Sequence, residues 1–205
     1  HDFTPHNEGI WIKHPQLGGS VAWHQDGWTH WESPDLVAGT HGFNFMPQLY
    51  GCDAANGLWV VPCSHHKRAD IKAMFNVAGS DRLPEAVPLI CGPGDVAIVD
   101  RQVVHGSFAN TSPHPRVTVN FGFHKRASVL NVKTKKYTNQ PIVYDPDFVH
   151  KRSRVIGYAI NARHQRFPEE APYIYQPLKG DMNSYQWNAS ARASLRDYNT
   201  TDIFI

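Results

Sequence analysis

The sequence predicts a mainly β fold, a sandwich or barrel with a few flanking helices, and three observations carry that expectation. Short apolar runs separated by Gly, Pro, Asn and Asp fill the chain as far as Phe123, the pattern of short strands joined by turns. One run, Arg116-Val117-Thr118-Val119-Asn120-Phe121-Gly122-Phe123, alternates almost strictly and puts Val117, Val119, Phe121 and Phe123 on one face of a half-buried strand. A composition of 15 Gly and 15 Pro in 205 residues, 41% hydrophobic and 19% charged, suits a turn-rich globular chain. Its length is within reach of a single domain with a sizeable core.

In chain order, strands are expected at Gly9 to Lys13, Ser20 to Trp23, Gly42 to Leu49, Gly57 to Val61, Val87 to Ile90, Asp95 to Val99 and Arg116 to Phe123. A helix is expected from about Lys67 to Val77, where Ala69, Ile71, Ala73, Met74 and Val77 supply an apolar face. A second begins after Asp145, an N-cap followed by Pro146, and carries Phe148, Val149, Val155, Ile156, Ala159 and Ile160 at helical spacing to about Arg163. From Pro168 onward Pro, Tyr, Asn and Ser prevail, with one short helix near Ser190 to Asp197.

Charge and cysteine content narrow the function. Twenty Lys and Arg stand against 18 acids, formal charge +2, and the basic residues are scattered apart from Lys133, Lys135 and Lys136, so nucleic acid is not an expected partner. Cys52, Cys63 and Cys91 are odd in number and lack C-x-x-C spacing, which predicts neither a disulfide framework nor a zinc knuckle and points to a reducing, cytoplasmic setting. No apolar run approaches the ~20 residues of a membrane helix, and the start lacks a signal-peptide pattern. Because the chain opens at His1 without Met, further sequence is expected upstream. Oligomeric state is not legible.

The candidate chemistry begins at His24-Gln25-Asp26. With 13 His in the chain, one His-x-Asp triplet is close to chance. Its position matters more: it ends the Ser20 to Trp23 run, and residues i and i+2 of an extended chain project from the same side. His105 qualifies as a third ligand, since it follows the Asp95 to Val99 strand and precedes Gly106, which lets backbone approach a ligand closely. Two imidazoles and a carboxylate on one face are the Fe(II) oxygenase arrangement, although zinc accepts the same ligand types. Arg116, eleven positions after His105, returns beside the metal and is suited to a bidentate grip on a dicarboxylate that chelates iron at its other end. His30-Trp31-Glu32 is a second His-x-acid triplet without a distal partner. Trp28, Trp31 and Trp59 are candidate pocket walls.

Taken together, Trp23-His24-Gln25-Asp26-Gly27, Asn56-Gly57-Leu58-Trp59-Val60-Val61-Pro62-Cys63-Ser64-His65, Gly92-Pro93-Gly94-Asp95, His105-Gly106-Ser107 and Arg116 resemble the phytanoyl-CoA dioxygenase family over about residues 9–124. The resemblance implies a double-stranded β-helix (jelly-roll) core there, with a helical and irregular extension over about 140–205, the whole forming one dioxygenase domain. It implies Fe(II) on His24, Asp26 and His105, and 2-oxoglutarate as co-substrate on Arg116. Ser107 and Lys13 match positions that assist at the co-substrate carboxylate, and Asn44 is a further candidate donor. The implied reaction uses O2 to hydroxylate a small organic substrate with release of succinate and CO2; Asp26 occupies the position that halogenation would need open. Two departures stand out: Cys63 replaces the family's usual glycine, and the family's N-terminal helical region is largely absent. Two rival readings remain, a non-oxygenase cupin-like metal enzyme and a non-catalytic β-sandwich binding module.

Overall fold

The computed structural model describes residues 2–26, 41–135 and 141–196. Ten strands are present among them: β1 (Phe3–Lys13), β2 (Val21–His24), β3 (Gly42–Pro47), β4 (Trp59–Val61), β5 (Val87–Pro88), β6 (Val96–Asp100), β7 (Val104–Ser107), β8 (Arg116–Lys125), β9 (Lys133–Lys135) and β10 (Pro141–Val143). They form a four-stranded sheet in the order β1-β8-β3-β6, a second in the order β2-β7-β4-β5, and a two-stranded ribbon of β9 and β10. The pairs β2·β7, β4·β7, β4·β5 and β3·β6 are antiparallel, although the strands of each pair lie far apart in the chain.

The described residues pack as two compact units, one of residues 2–7, 123–135 and 141–196 and the other of residues 8–26 and 41–122. In the second, Trp23, Val61, Leu83 and Val104 form a buried cluster against which Trp59, Phe108 and helix α1 (Ile71–Ala78) pack. Asp70 caps α1 by accepting from the Ala73 amide, and Gly79 ends it at φ 68°. The helix therefore starts about a turn later than the expected Lys67, because the cap and not the apolar pattern sets it.

In the first unit a single turn of helix, α2 (Arg126–Val129), precedes β9, and Val129, Tyr144 and Val149 form a small core. Helix α3 (Pro146–Arg166) starts at its expected cap, with the Asp145 carboxylate accepting from the Phe148 amide, and runs one turn beyond Arg163. Helix α4 (Ala189–Ser194) is capped by Asn188, within the tail where a short helix was expected. No helix among the described residues is long and apolar enough to cross a membrane.

The alternation of β8 is real, but its burial is the reverse of what an apolar face suggests. Arg116, Thr118, Gly122 and His124 are buried, whereas Val117 and Val119 are half-buried and Phe121 is exposed. On β3, Asn44 is likewise buried between Gly42 and Met46, while Phe43 and Phe45 are half-buried. The inward faces of these strands are thus rich in polar groups, which binary patterning assigns to solvent, and such groups persist in an interior when they are hydrogen-bonded or charged for a purpose.

Candidate metal centre

The centre is built on the pairing of β2 with β7, in which His24 and His105 are direct cross-strand partners. Opposed residues of an antiparallel pair bring their Cβ atoms to about 5 Å, and the two imidazole rings lie 4.2 Å apart, centroid to centroid. Asp26 follows His24 by two residues and is held by its amide, which donates to the Arg101 carbonyl at 3.0 Å. Its Oδ1 lies 3.4 Å from His24 Nε2 and 4.0 Å from His105 Nε2. Donor atoms of all three residues fall within 4.8 Å of one another, and this is the metal-suited cluster found among the described residues.

Both rings are oriented from behind. His24 Nδ1 donates to the Ala22 carbonyl at 2.7 Å and His105 Nδ1 to the Val103 carbonyl at 2.9 Å. A carbonyl only accepts, so Nδ1 carries a proton in each ring and the neutral imidazole keeps its Nε2 lone pair for a metal, which at His24 competes with a proton shared with Asp26. Asp26 is divided in the same sense: Asn44 Nδ2 donates to Oδ2 at 2.7 Å and Arg101 lies 3.5 Å from that oxygen, leaving Oδ1 toward the imidazoles. Arg101 is 3% exposed and also donates to Asn44 Oδ1 at 2.8 Å, closing a three-residue clamp.

The electrostatics follow from these contacts. Burial alone would raise the Asp26 pKa, but Arg101, His24, His105 and Asn44 together hold the carboxyl well below the usual range. His24 is raised chiefly by its hydrogen bond with Asp26, whereas burial lowers His105. The centre therefore presents a carboxylate and a neutral His105 near neutral pH, both in metal-binding form.

Two residues beyond His105 on β7, and so on the same side of the strand, Ser107 marks a second polar cluster. Lys13, 4% exposed, donates to Ser107 Oγ at 2.8 Å and to the Phe108 carbonyl. Burial, and then the charge of Arg116, push its pKa down to about 8. Arg116 is buried as well; one of its Nη atoms donates to the Asn56 carbonyl at 3.0 Å, while its Nε has no hydrogen-bond partner. Among the described residues no carboxylate pairs with Lys13 or Arg116. Two buried cations close enough for one to depress the other, with the Ser107 hydroxyl on Lys13, suit the binding of an anion.

The structure thus brings together His24, Asp26 and His105, and separately Lys13, Ser107 and Arg116. Asn44, expected to serve the co-substrate, has its amide on Asp26 and its carbonyl on Arg101. Trp59 packs edge-on against Phe108 and joins the hydrophobic cluster. Trp28, His30 and Trp31 lie outside the described residues.

Three supporting residues were not singled out by the sequence. Arg101 clamps Asp26 from a position next to β6 that carries no motif. Gln25, between two ligands, donates to the Gln102 and Lys67 carbonyls and accepts from the Ala69 amide, tying three loops together. Asn110 donates to the carbonyls of His14 and His114, fixing the end of β1 beside the turn before Arg116. Its place in Asn110-Thr111-Ser112, in the turn between His105 and Arg116, was the available signal.

Comparison with known proteins decides the family. A family model described as phytanoyl-CoA dioxygenase (PhyH) matches residues 4–118. The chain belongs to the phytanoyl-CoA dioxygenase family. Phytanoyl-CoA dioxygenase 1 of Oryza sativa subsp. japonica is 31% identical over 114 residues, which make up 51% of this chain and 39% of the rice protein. The crystal structure of EctD from S. alaskensis with 2-oxoglutarate and 5-hydroxyectoine aligns with a TM-score of 0.51 at 22% identity, covering 64% of this chain and 47% of EctD. The crystal structure of EvdMO1 is 28% identical with a TM-score of 0.48, covering 60% of this chain and 27% of EvdMO1. This member of the PhyH family has the jelly-roll fold that its two four-stranded sheets describe. It spans 39% of the rice relative and under two thirds of either structure.

Proposed function

We propose that this chain is the catalytic core of an Fe(II)- and 2-oxoglutarate-dependent dioxygenase that hydroxylates a small organic substrate and acts as one dioxygenase domain. The observation that carries the reading is the pairing of two sites on one strand. His105, opposite His24 and beside Asp26, lies two residues before Ser107, which Lys13 joins near Arg116. A generic metal site does not need a buried pair of cations beside it, and a co-substrate with a carboxylate at each end does.

His24 Nε2, His105 Nε2 and Asp26 Oδ1 would hold Fe(II), a hard-to-borderline ion suited to imidazole and carboxylate with open positions left over. When bound there with 2-oxoglutarate, it supplies the activation of O2 that oxidises a C–H bond and releases succinate and CO2. The protein's part is positional. Backbone carbonyls behind both rings keep the Nε2 lone pairs directed inward, the Asn44 and Arg101 clamp keeps Asp26 turned by one oxygen, and Arg116, Lys13 and Ser107 anchor the distal carboxylate by charge-assisted hydrogen bonds. Donors held this way need no rearrangement when the ligands arrive.

Anaerobic addition of Fe(II) and 2-oxoglutarate is expected to give a weak visible charge-transfer band that His105→Ala abolishes and Arg116→Ala shifts to higher 2-oxoglutarate concentration. Survival of the band in His105→Ala would sink the ligand assignment. Succinate formation from 2-oxoglutarate, screened over amino acids, acyl-CoA esters and secondary metabolites, then finds the substrate. Protein that carries neither stoichiometric metal nor succinate-forming activity would be a binding module instead.

A further inference from the structure

Cys52 and Cys91 lie far apart in the chain but face each other across an isolated antiparallel bridge, each donating its amide to the other's carbonyl at 2.7 and 3.0 Å. Such a doubly hydrogen-bonded pair sets its Cα atoms about 5.5 Å apart, inside the range disulfides adopt. Gly51 permits this approach: it takes a φ of 79°, and a Cβ there would meet the Cys91 carbonyl oxygen at 2.7 Å. The Cys52 thiol donates to the Leu89 carbonyl at 3.2 Å, and both cysteines are reduced. Burial, followed by Cys91, pushes the Cys52 thiol up to about 11.

The pair adjoins the co-substrate cluster. The turn that follows Cys52 is closed by the Gly57 amide on the Asp53 carbonyl at 2.7 Å, and it carries the Asn56 carbonyl that accepts from Arg116.

We propose that Cys52 and Cys91 are a redox modification site, oxidised by hydrogen peroxide to a reversible disulfide that locks the turn holding Arg116. Cys91, the more accessible of the two, reacts first. Its sulfur attacks one peroxide oxygen, the O–O bond breaks, water leaves, and Cys91 becomes a sulfenic acid. The Cys52 sulfur then attacks the Cys91 sulfur, the S–O bond breaks, and a second water leaves with the Cys52 proton. Two thiols and one peroxide give one disulfide and two waters, and a dithiol reductant reverses the change.

The test uses the full chain with Cys63→Ser, which removes the exposed third thiol. Reduced protein is treated with hydrogen peroxide, alkylated and digested. The expected result is loss of two thiols and a Cys52–Cys91 cross-linked peptide lighter by two hydrogens than its parts, within monomer and restored by dithiothreitol. Tm should rise by about 5 °C or more, and amide exchange at residues 53–57 should slow at least tenfold. In Cys52→Ala the reaction should stop at a Cys91 sulfenic acid that dimedone traps, which keeps the idea testable if one variant folds poorly. The proposal is overturned if Cys91 goes to sulfinic acid with Cys52 still free, if both thiols survive peroxide that consumes Cys63 in the parent chain, or if the cross-link joins two chains.

Discussion

Arg101 and Asp26 form a pair in which neither charge is independent. Arg101 is almost wholly buried and its described hydrogen-bond and ionic partners are Asn44 and Asp26. Removing one partner of such a pair strands the other, so Arg101→Gln should destabilise the metal-free chain by about 2–3 kcal/mol in urea unfolding. A divalent ion should recover part of that loss, because it supplies the missing positive charge. Lys13 gives a pH test of opposite sign for folding and for ligand binding. Its pKa is depressed from 10.5 to about 8 on folding, so the folded state releases its proton first and the unfolded state binds more protons between those values. Stability relative to Lys13→Met should therefore rise with pH from about 8 to 10.5. Binding of 2-oxoglutarate should instead weaken above pH 8 in the parent and become flat in Lys13→Met, read by titration calorimetry. Cys63, at φ 61°, occupies the left-handed region that favours glycine. Cys63→Gly should raise stability by about 1 kcal/mol, seen as a few degrees in Tm, which gives a physical reason for the family's usual residue there.

At the scale of elements the centre depends on how closely β7 approaches β2. A Cβ on Gly106 would meet the Val21 carbonyl oxygen at 3.1 Å and Trp23 Cα at 3.2 Å, so Gly106→Ala must push the two ligand-bearing strands apart by a few tenths of an ångström. Metal affinity should fall about tenfold, as for other changes that disturb ligand orientation, while circular dichroism stays unchanged. Retained affinity would show that the ladder has slack.

β7 is also where sequence reading stopped short. All four of its residues are buried, so Val-His-Gly-Ser has no alternation to reveal it, and His105 was placed just after a strand rather than within one. The ribbon of β9 and β10 was missed for the related reason that Lys133–Lys135 reads as a charged loop. By contrast, Asp145 with Pro146 announced α3 through capping chemistry, which is local. That His24 and Asp26 cluster was legible by spacing, and that His105 joins them by its neighbours. The clamp was not, because Arg101 and Asn44 meet Asp26 only through the pairing of β3 with β6.

For the molecule as a whole, the inversion seen on β8 has a counterpart on the outer surface of its sheet. Phe45 is paired with Ile98 in register and its ring lies 6.4 Å from that of Phe121. Ile98 is 65% exposed, Phe121 37% and Val96 43%. A contiguous apolar face of this kind binds hydrophobic probes. The native chain should enhance anilinonaphthalene sulfonate fluorescence at neutral pH, and Ile98→Lys should cut that enhancement by about half without lowering Tm. The fold class was readable from turn-separated apolar runs, but which side of each strand faces inward was not, since the interior is occupied by the chemistry.

The cross-strand register of His24 with His105 has one more consequence, for how such a chain can diversify. Ligands fixed by a ladder are insensitive to those parts of the intervening chain that do not support it. Outside Asn44 on β3, the pairing of β4 with β7 and the turn at Asn56, the described segments between the two strands are free to lengthen, shorten or change composition. Selectivity can drift through those segments over evolutionary time while the reactive centre stays in place, which is a route by which one scaffold comes to serve many substrates.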